Sequence, residues 1–528
     1  MKKIGIIATA LSAIALTGVV FLGCQPSRVR GGANQNMDNF NPTGLPIVKE
    51  KESFSLLVTE DEADPTKTML SYYEDQTNVH LDVNAYTRSV AAERKNILVA
   101  SGDYPDVMAG WLLGEGEIVR MKEDGMIIPL SDMIEKYTVN IKEVLEYPGV
   151  REIMTHPDGE IYTIPYINEG PKSGHIPWIN VEWLKRLNLP MPTTTEEYKN
   201  TLIAFRDRIP PVNGQAIIPF SANPSTFGTG GILAGWFGVN AAGPVAMIDG
   251  RLENTITRPE YREYIKFFAD LWANGLVDPE LFSQNQQTWN AKGLQGLYGV
   301  SFAYGPSDFA QMVRTDKTVN QTDYEPLAML RGPGVTKPVY HRASNGYTVW
   351  KTQAVITDNA TNPLTIIRWF DYMYEEVNSL SIARGPEGVR FEKLPDGTYR
   401  ETQNGRDEAV IASVGSPFYN SMPKFIRPGT KVLPPEGQSP EYMLVDARDA
   451  AYEPYLGEMI PDSWADEKLN QQISQLSQQI TYYHTQKVVS WITGQANIDA
   501  EWDAYIAELE RLGINDLLQL RRSLIENS

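Results

Sequence analysis

One cysteine, Cys24, stands among 528 residues, which excludes an intrachain disulfide and any cysteine-built metal site. Histidine is scarce too. His80, His156, His175, His341 and His484 lie far apart, and no pair has the spacing that puts two imidazoles on one helix face, so no metal site is expected. Lys/Arg-rich runs are missing, and a formal net charge of -19 opposes binding to nucleic acid, whose phosphates need clustered cations. There is no Gly-x-Ser-x-Gly elbow, no Gly-Lys pair for a phosphate loop, no Gly-x-Gly-x-x-Gly after a strand and no fixed-period repeat. Two partial matches carry little. Ser421-x-x-Lys424 lies in a Pro-rich loop, and Asp499, Glu501, Asp503 and Glu510 outline a calcium loop but have Ala504 where its turn needs Gly. Acidic residues at a helix start explain that cluster.

What is present begins with Lys2 and Lys3, an apolar run from Ile4 to Phe21, then Leu22-Gly23-Cys24. A membrane-spanning anchor competes with a cleaved leader here, since about 18 apolar residues nearly span a bilayer. The Ala, Gly and Thr content, the single Cys at the end and the polar sequence after it favour a lipoprotein signal peptide over residues 1–23, with Cys24 as the lipidated residue. Residues 24–52 are rich in Asn, Gly and Pro and read as a flexible tether.

At 528 residues the chain exceeds the size of a single core, so two lobes are expected. Strands are expected at 53–59, 79–85 and 107–110, separated by helices, which is the pattern of a parallel α/β sheet. The helix from Arg88 should turn Val90, Ala91, Ile97 and Leu98 inward and stop at Gly102; the strand after it ends in Gly110-Trp111, at the edge where such sheets bind ligands. A capping box is expected within Pro192 to Glu197, opening a helix that bears Tyr198, Leu202 and Phe205, and a second at Thr257 with Glu260. The aromatic, Gly-rich stretches 227–243 and 288–305 have little periodicity and read either as loops whose backbone a ligand could approach or as close-packed turns. Helices fill the tail, over 469–492, 501–512 and 514–525.

Ser101-Gly102-Asp103-Tyr104-Pro105-Asp106-Val107-Met108 is similar to the signature of family 1 extracellular solute-binding proteins, the maltose-binding-protein-like receptors of ABC sugar importers. Trp178 to Leu187, Pro192 to Tyr198, Arg368 to Tyr374, Gly385 to Val389 and Ile492-Thr493-Gly494 with Asp499 to Tyr505 follow in the family's order, so the resemblance runs from about residue 50 to the C-terminus. The large Gram-positive lipoprotein branch, related to the alginate-oligosaccharide-binding proteins, is the nearest in pattern. Two departures stand out. Asn180 occupies a place where this branch usually has Arg, and Ile209 to Pro219 lacks the carboxylates of the branch's calcium loop.

The resemblance implies an α/β periplasmic-binding-protein-like fold: lobe one at 53–168 and 338–386, lobe two at 169–337 and 387–528, crossing strands at a hinge and a helical C-terminal extension. It implies binding without turnover, no cofactor, an oligosaccharide held between the lobes, delivery to ABC permease subunits, and a monomer on the outer face of the cell membrane. The ligand-binding candidates are Trp111, Trp178, Trp236, Trp289, Tyr304 and Trp350 as stacking surfaces, with Arg342 and Asn345 as polar groups. Trp183, Trp272, Trp369, Trp491 and Trp502 lie on helical apolar stripes and are assigned to cores. A secreted glycan hydrolase, or a receptor of the same fold for a peptide or lipid cargo, are the alternatives. No carboxylate pair among 66 acidic residues points to a hydrolase.

Overall fold

The structure is a computed structural model that describes residues 35–59, 69–170, 172–310, 323–405, 407, 409–410, 421–436 and 442–526. The signal peptide and Cys24 lie outside the described residues.

The first lobe is built on a sheet of five strands in the order β2-β1-β3-β11-β4: β1 Glu52–Thr59, β2 Val79–Tyr86, β3 Val107–Ala109, β4 Thr163–Glu169 and β11 Tyr347–Ile356. β1 pairs in parallel with β2 and β3, and β11 runs against both β3 and β4. Alternation in β1 serves two layers. Phe54, Leu56 and Val58 enter the main core of the lobe, while Leu57 enters a smaller core with Met108 and Val355 on the other face. The helix Arg88–Ser101 ends as expected, with Gly102 at φ 76 and its N–H bonded to the Val99 carbonyl. Its inward face is rotated from the expected one. Ala91, Lys95 and Leu98 face the lobe, whereas Val90 and Ile97 are exposed. Lys95 buries its stem and pairs its ammonium with Glu117 at 2.5 Å and the Leu112 carbonyl at 2.9 Å, which makes a lysine tolerable on that stripe.

The second lobe centres on a sheet in the order β10-β5-β9-β6: β5 Ile176–Asn180, β6 Ile218–Ala222, β9 Tyr298–Ala303 and β10 Tyr324–Pro326. Beside it lies the hairpin of β7 Val245–Ile248 and β8 Arg251–Asn254. The helix Thr195–Arg208 carries the expected capping box at Thr194 and Glu197. The box at Thr257 does not form. Pro259 occupies the first helical position and forces an extended residue before it, so Arg258 becomes the cap of Pro259–Ala273 and Thr257 falls outside. The two stretches read as loops or turns are structured: Gly231–Phe237 is a 3₁₀ helix, and Gln286–Leu294 is a helix leading into β9. Trp369, Trp491 and Trp502 are buried in cores, and Trp183 and Trp272 pack against the second.

The path between the lobes differs from the expected boundaries. Residues 35–52, read as a tether, are packed: Phe40, Ile47 and Val48 are buried in the first core. Arg368 donates to the Gly44 carbonyl at 2.7 Å and Thr365 to Glu52 at 2.8 Å, so this stretch is a strap on the helix Pro363–Met373. Met422 and Phe425 also lie in the first core, and Trp464 lies in its satellite. The chain thus returns to the first lobe twice after residue 387. A small sheet of β12 Phe391–Lys393, β13 Tyr399–Glu401 and β14 Val432–Leu433 packs through Phe391 and Tyr399 onto Leu380. The helix Glu467–Ile492 touches both lobes, with Arg120 3.7 Å from Glu467 at one end and His484 bonded to Tyr261 further along. Among the described residues, no helix is long and apolar enough to cross a membrane.

Candidate functional site

The carboxyl ends of β1, β3 and β4 and the start of β11 meet at one edge of the first sheet. Gly110, just past β3, has φ 85, and a Cβ there would lie 2.4 Å from Thr59 Oγ1. Its N–H donates to the Gln353 carbonyl at 2.8 Å, and the next N–H, of Trp111, donates to Thr59 Oγ1 at 3.3 Å. This tight turn aims the half-buried Trp111 across the sheet edge. Its ring meets Trp350 edge to face at 5.8 Å, and Arg88 lies over it at 5.5 Å. Trp350 in turn stacks on Tyr166 at 4.5 Å, and the buried Lys424 ammonium lies 3.8 Å from the centre of the Tyr166 ring.

The pairing of β11 with β4 shifts register between Trp350 and Ala354. That bulge holds Lys351 buried, its ammonium 2.8 Å from Asp462, 3.2 Å from Glu115 and 4.5 Å from the Trp464 ring. Burial pushes the Glu115 carboxyl up, against the pull of Lys351. The segment 462–464 is thereby pinned to the first lobe.

On the second lobe β9 delivers Tyr304 just beyond its last residue, 39% exposed. Arg448 lies fully buried against it, donating from Nη1 to the Tyr304 carbonyl at 2.6 Å with its guanidinium carbon 4.3 Å from the ring. His175 sits edge-on to Tyr304 at 5.7 Å; burial, with Arg448 nearby, lowers its pKa. A cavity of about 260 Å³ opens between the two edges, lined by Tyr166, Asn168 and Glu169 from the first lobe side and by Tyr304, Asp446 and Asp449 from the second. It offers ring faces and hydroxyl-pairing carboxylate and amide groups together, the combination that holds pyranose or furanose rings. Among the described residues, no cluster of His, Cys, Asp or Glu is placed to hold a metal ion.

The structure brings Trp111 and Trp350 together at one sheet edge, with Trp350 stacked on Tyr166, and it places Tyr304 on the cavity that Tyr166 also lines. It separates the others. Trp178, Trp236 and Trp289 are completely buried in the second core and present no face to a ligand. Trp178 donates to the Ala303 carbonyl at 3.2 Å, Trp236 packs edge-on against Tyr198, and Trp289 packs on Tyr298 and Phe309. Arg342 is tied to the Gly457 carbonyl at 2.9 Å and lines a different cavity, while Asn345 is exposed in the turn before β11. Asn180 caps the helix Val181–Leu187 through the Trp183 N–H at 3.0 Å, a local role. Sequence reasoning missed Tyr166, Glu169 and Arg448. Only Tyr166 had a signal, because its strand alternates towards the same edge as Trp350.

No family model matches the chain. The fructooligosaccharide ABC transporter substrate-binding protein FusA of Streptococcus pneumoniae serotype 4 is 29% identical over 512 residues, covering 90% of this chain and 90% of FusA. The structure of S. pneumoniae FusA in complex with kestose aligns at a TM-score of 0.74 and 28% identity, over 90% of this chain and 99% of that one. An extracellular solute-binding protein from Bifidobacterium longum subsp. infantis aligns at 0.77 with 22% identity, over 90% and 98% of the two chains, which shows the shared fold. Lipoprotein LipO of Bacillus subtilis is 23% identical over 424 residues, 78% of this chain and 79% of LipO. The two-lobe α/β architecture expected from the sequence is that of these structures.

Proposed function

We propose that this chain, whose relatives and structural neighbours are sugar-binding proteins of ABC transporters of the family 1 solute-binding type, captures an oligosaccharide between its lobes and hands it to a permease. The observation that supports the reading is the cavity between the lobes, lined by Tyr166 and Tyr304 together with carboxylate and amide groups, with Trp350 stacked on Tyr166 and Trp111 edge-on to Trp350. Sugar rings stack on such faces through their C–H bonds, and Asn168, Glu169, Asp446 and Asp449 supply partners for hydroxyls. Kestose and its longer homologues are the first ligands to try, since FusA, 29% identical over nine-tenths of both chains, has been seen in complex with kestose.

The remaining parts of the reading follow from it. The chain acts as a monomer, Cys24 carries a lipid that holds it at the outer membrane face, and lobe one takes the described residues within 35–169, 347–436 and 461–466 while lobe two takes most of the other described residues. Trp111→Ala is expected to weaken sugar binding by about tenfold or more while thermal unfolding stays cooperative, because a half-exposed ring adds contact area without filling a core. Calorimetric titration with kestose and a panel of neutral and acidic oligosaccharides checks this. Unchanged affinity in the variant sinks the placement of the site, and release of reducing ends from the same sugars sinks the receptor reading.

A further inference from the structure

A cavity of about 390 Å³ lies apart from the cleft, walled by β7, by residues 341–343 and 458–460, and by the helices Glu467–Ile492 and Ile514–Glu526. Both irregular segments belong to the crossing between lobes. Tyr340 donates to the Tyr455 carbonyl at 2.7 Å and Gly457 to the Tyr340 carbonyl at 2.8 Å, so they run side by side before 341–343 leads to β11 and 458–460 to Trp464.

The polar groups of this cavity are unbalanced. Arg521 has its Nε buried with no hydrogen-bond partner. One position further, Arg522 gives both Nε and Nη2 to the Leu252 carbonyl, at 3.1 and 2.7 Å, so the lack at Arg521 is specific to its side of the helix. The hydroxyl of Ser477 is likewise buried without a partner, although a helical serine commonly bonds the carbonyl four residues back. Arg342 enters from the crossing segment, oriented by its bond to Gly457. Glu458 is the sole carboxylate among the described lining residues, and it already accepts the Gly250 N–H at 2.9 Å. Val245, Met247, Met459 and Leu517 make an apolar flank.

A guanidinium Nε–H withdrawn from water without an acceptor is costly, and a carboxylate that bonds it together with a terminal nitrogen of the same planar fork relieves that cost with charge-assisted bonds. We propose that this cavity is a second binding site, for a small organic carboxylate whose anionic end pairs with Arg521 and Arg342 and accepts from Ser477, and whose apolar body lies on Val245, Met247 and Leu517. The ligand touches the 341–343 crossing segment and the helices Glu467–Ile492 and Ile514–Glu526 at once.

Calorimetric titration of the full chain with benzoate, and with benzyl alcohol as the same body without the charge, tests the site. Benzoate is expected to bind and benzyl alcohol to give no heat. Arg521→Met is expected to weaken benzoate by about tenfold or more through loss of a charge-assisted pair. Ser477→Leu, which fills the cavity from a half-buried helical position, is expected to do the same and serves if the arginine variant does not fold. Absence of benzoate binding, or equal affinity in the native chain and Ser477→Leu, overturns the proposal. Inorganic phosphate binding in place of benzoate overturns the carboxylate with an apolar body. None of these outcomes depends on whether the cleft binds sugar.

Discussion

Trp111 and Trp178 both lie at or near strand ends in stretches that look alike, yet one is half exposed at a sheet edge and the other is fully enclosed. The difference is in what covers each strand. Trp178 sits within β5, between β9 and β10, so neighbours on both sides close over it. Trp111 lies two residues beyond β3, after Gly110 has turned the chain out of the ladder. Another single residue carries a pH signal. His156 stacks on Trp464 at 3.9 Å, and both its ring nitrogens are buried without partners. Burial, helped by Lys122 and Lys351 and opposed by Asp158, lowers its pKa from 6.5 to about 4. A base with a depressed folded pKa takes up a proton on unfolding, so its share of stability is complete above pH 6.5 and is lost as pH falls towards 4. His484, also held down to about 4 by burial, acts in the same direction. The melting temperature is therefore expected to fall between pH 6.5 and 4, and His156→Phe, which keeps the stacking, to flatten that dependence. Equal slopes in a thermal scan across that range would contradict the assignment.

At the scale of elements, the strap and the Ile209–Pro219 loop each make a prediction. A chain beginning at residue 51 loses Phe40, Ile47 and Val48 from the first core. Burying side chains of this size contributes about 1.5–3 kcal/mol each, so its melting temperature should drop well below that of a chain beginning at residue 25, without a change in sugar affinity at a temperature where both are folded. In the loop, Val212 and Gln215 close a two-residue turn with Asn213 at φ 51 and Gly214 at φ 80. Such a turn is too short to wrap a calcium ion with six or more oxygens, and it has no carboxylate. Micromolar calcium is expected to leave the melting temperature unchanged; a rise abolished by deleting 212–215 would refute this.

For the whole molecule, three segments around residues 169–175, 340–346 and 455–460 lie together between the lobes, joined by bonds from Ala343 to the Lys172 carbonyl at 2.7 Å and from Ser344 to Gly170 at 3.0 Å. A ligand in the cleft can shift the lobe arrangement only by its difference in affinity for the two states. Because the strap docks on lobe one, the proposed lipid at Cys24 would be joined to that lobe through the ten residues between Cys24 and Gln35. Cys24→Ser is expected to move the protein from the membrane fraction to the medium, and a variant that still sediments with membranes would remove the lipid anchor from the reading.

The sequence by itself determined the kind of molecule: strand and helix alternation to 110, the ordered motifs and the scarcity of Cys and His are local or compositional, and they lead to a two-lobe α/β receptor. It also placed Gly102, the Thr194 cap and the tail helices, which depend on neighbours within a few residues. Only the tertiary structure decided which aromatics face the cleft, because Trp178, Trp236 and Trp289 are enclosed by segments up to 125 residues away in the case of Trp178 and Ala303. It alone turned residues 35–52 from tether to strap and carried Met422, Phe425 and Trp464 back to the first lobe, since burial there is contributed by partners that no local pattern encodes.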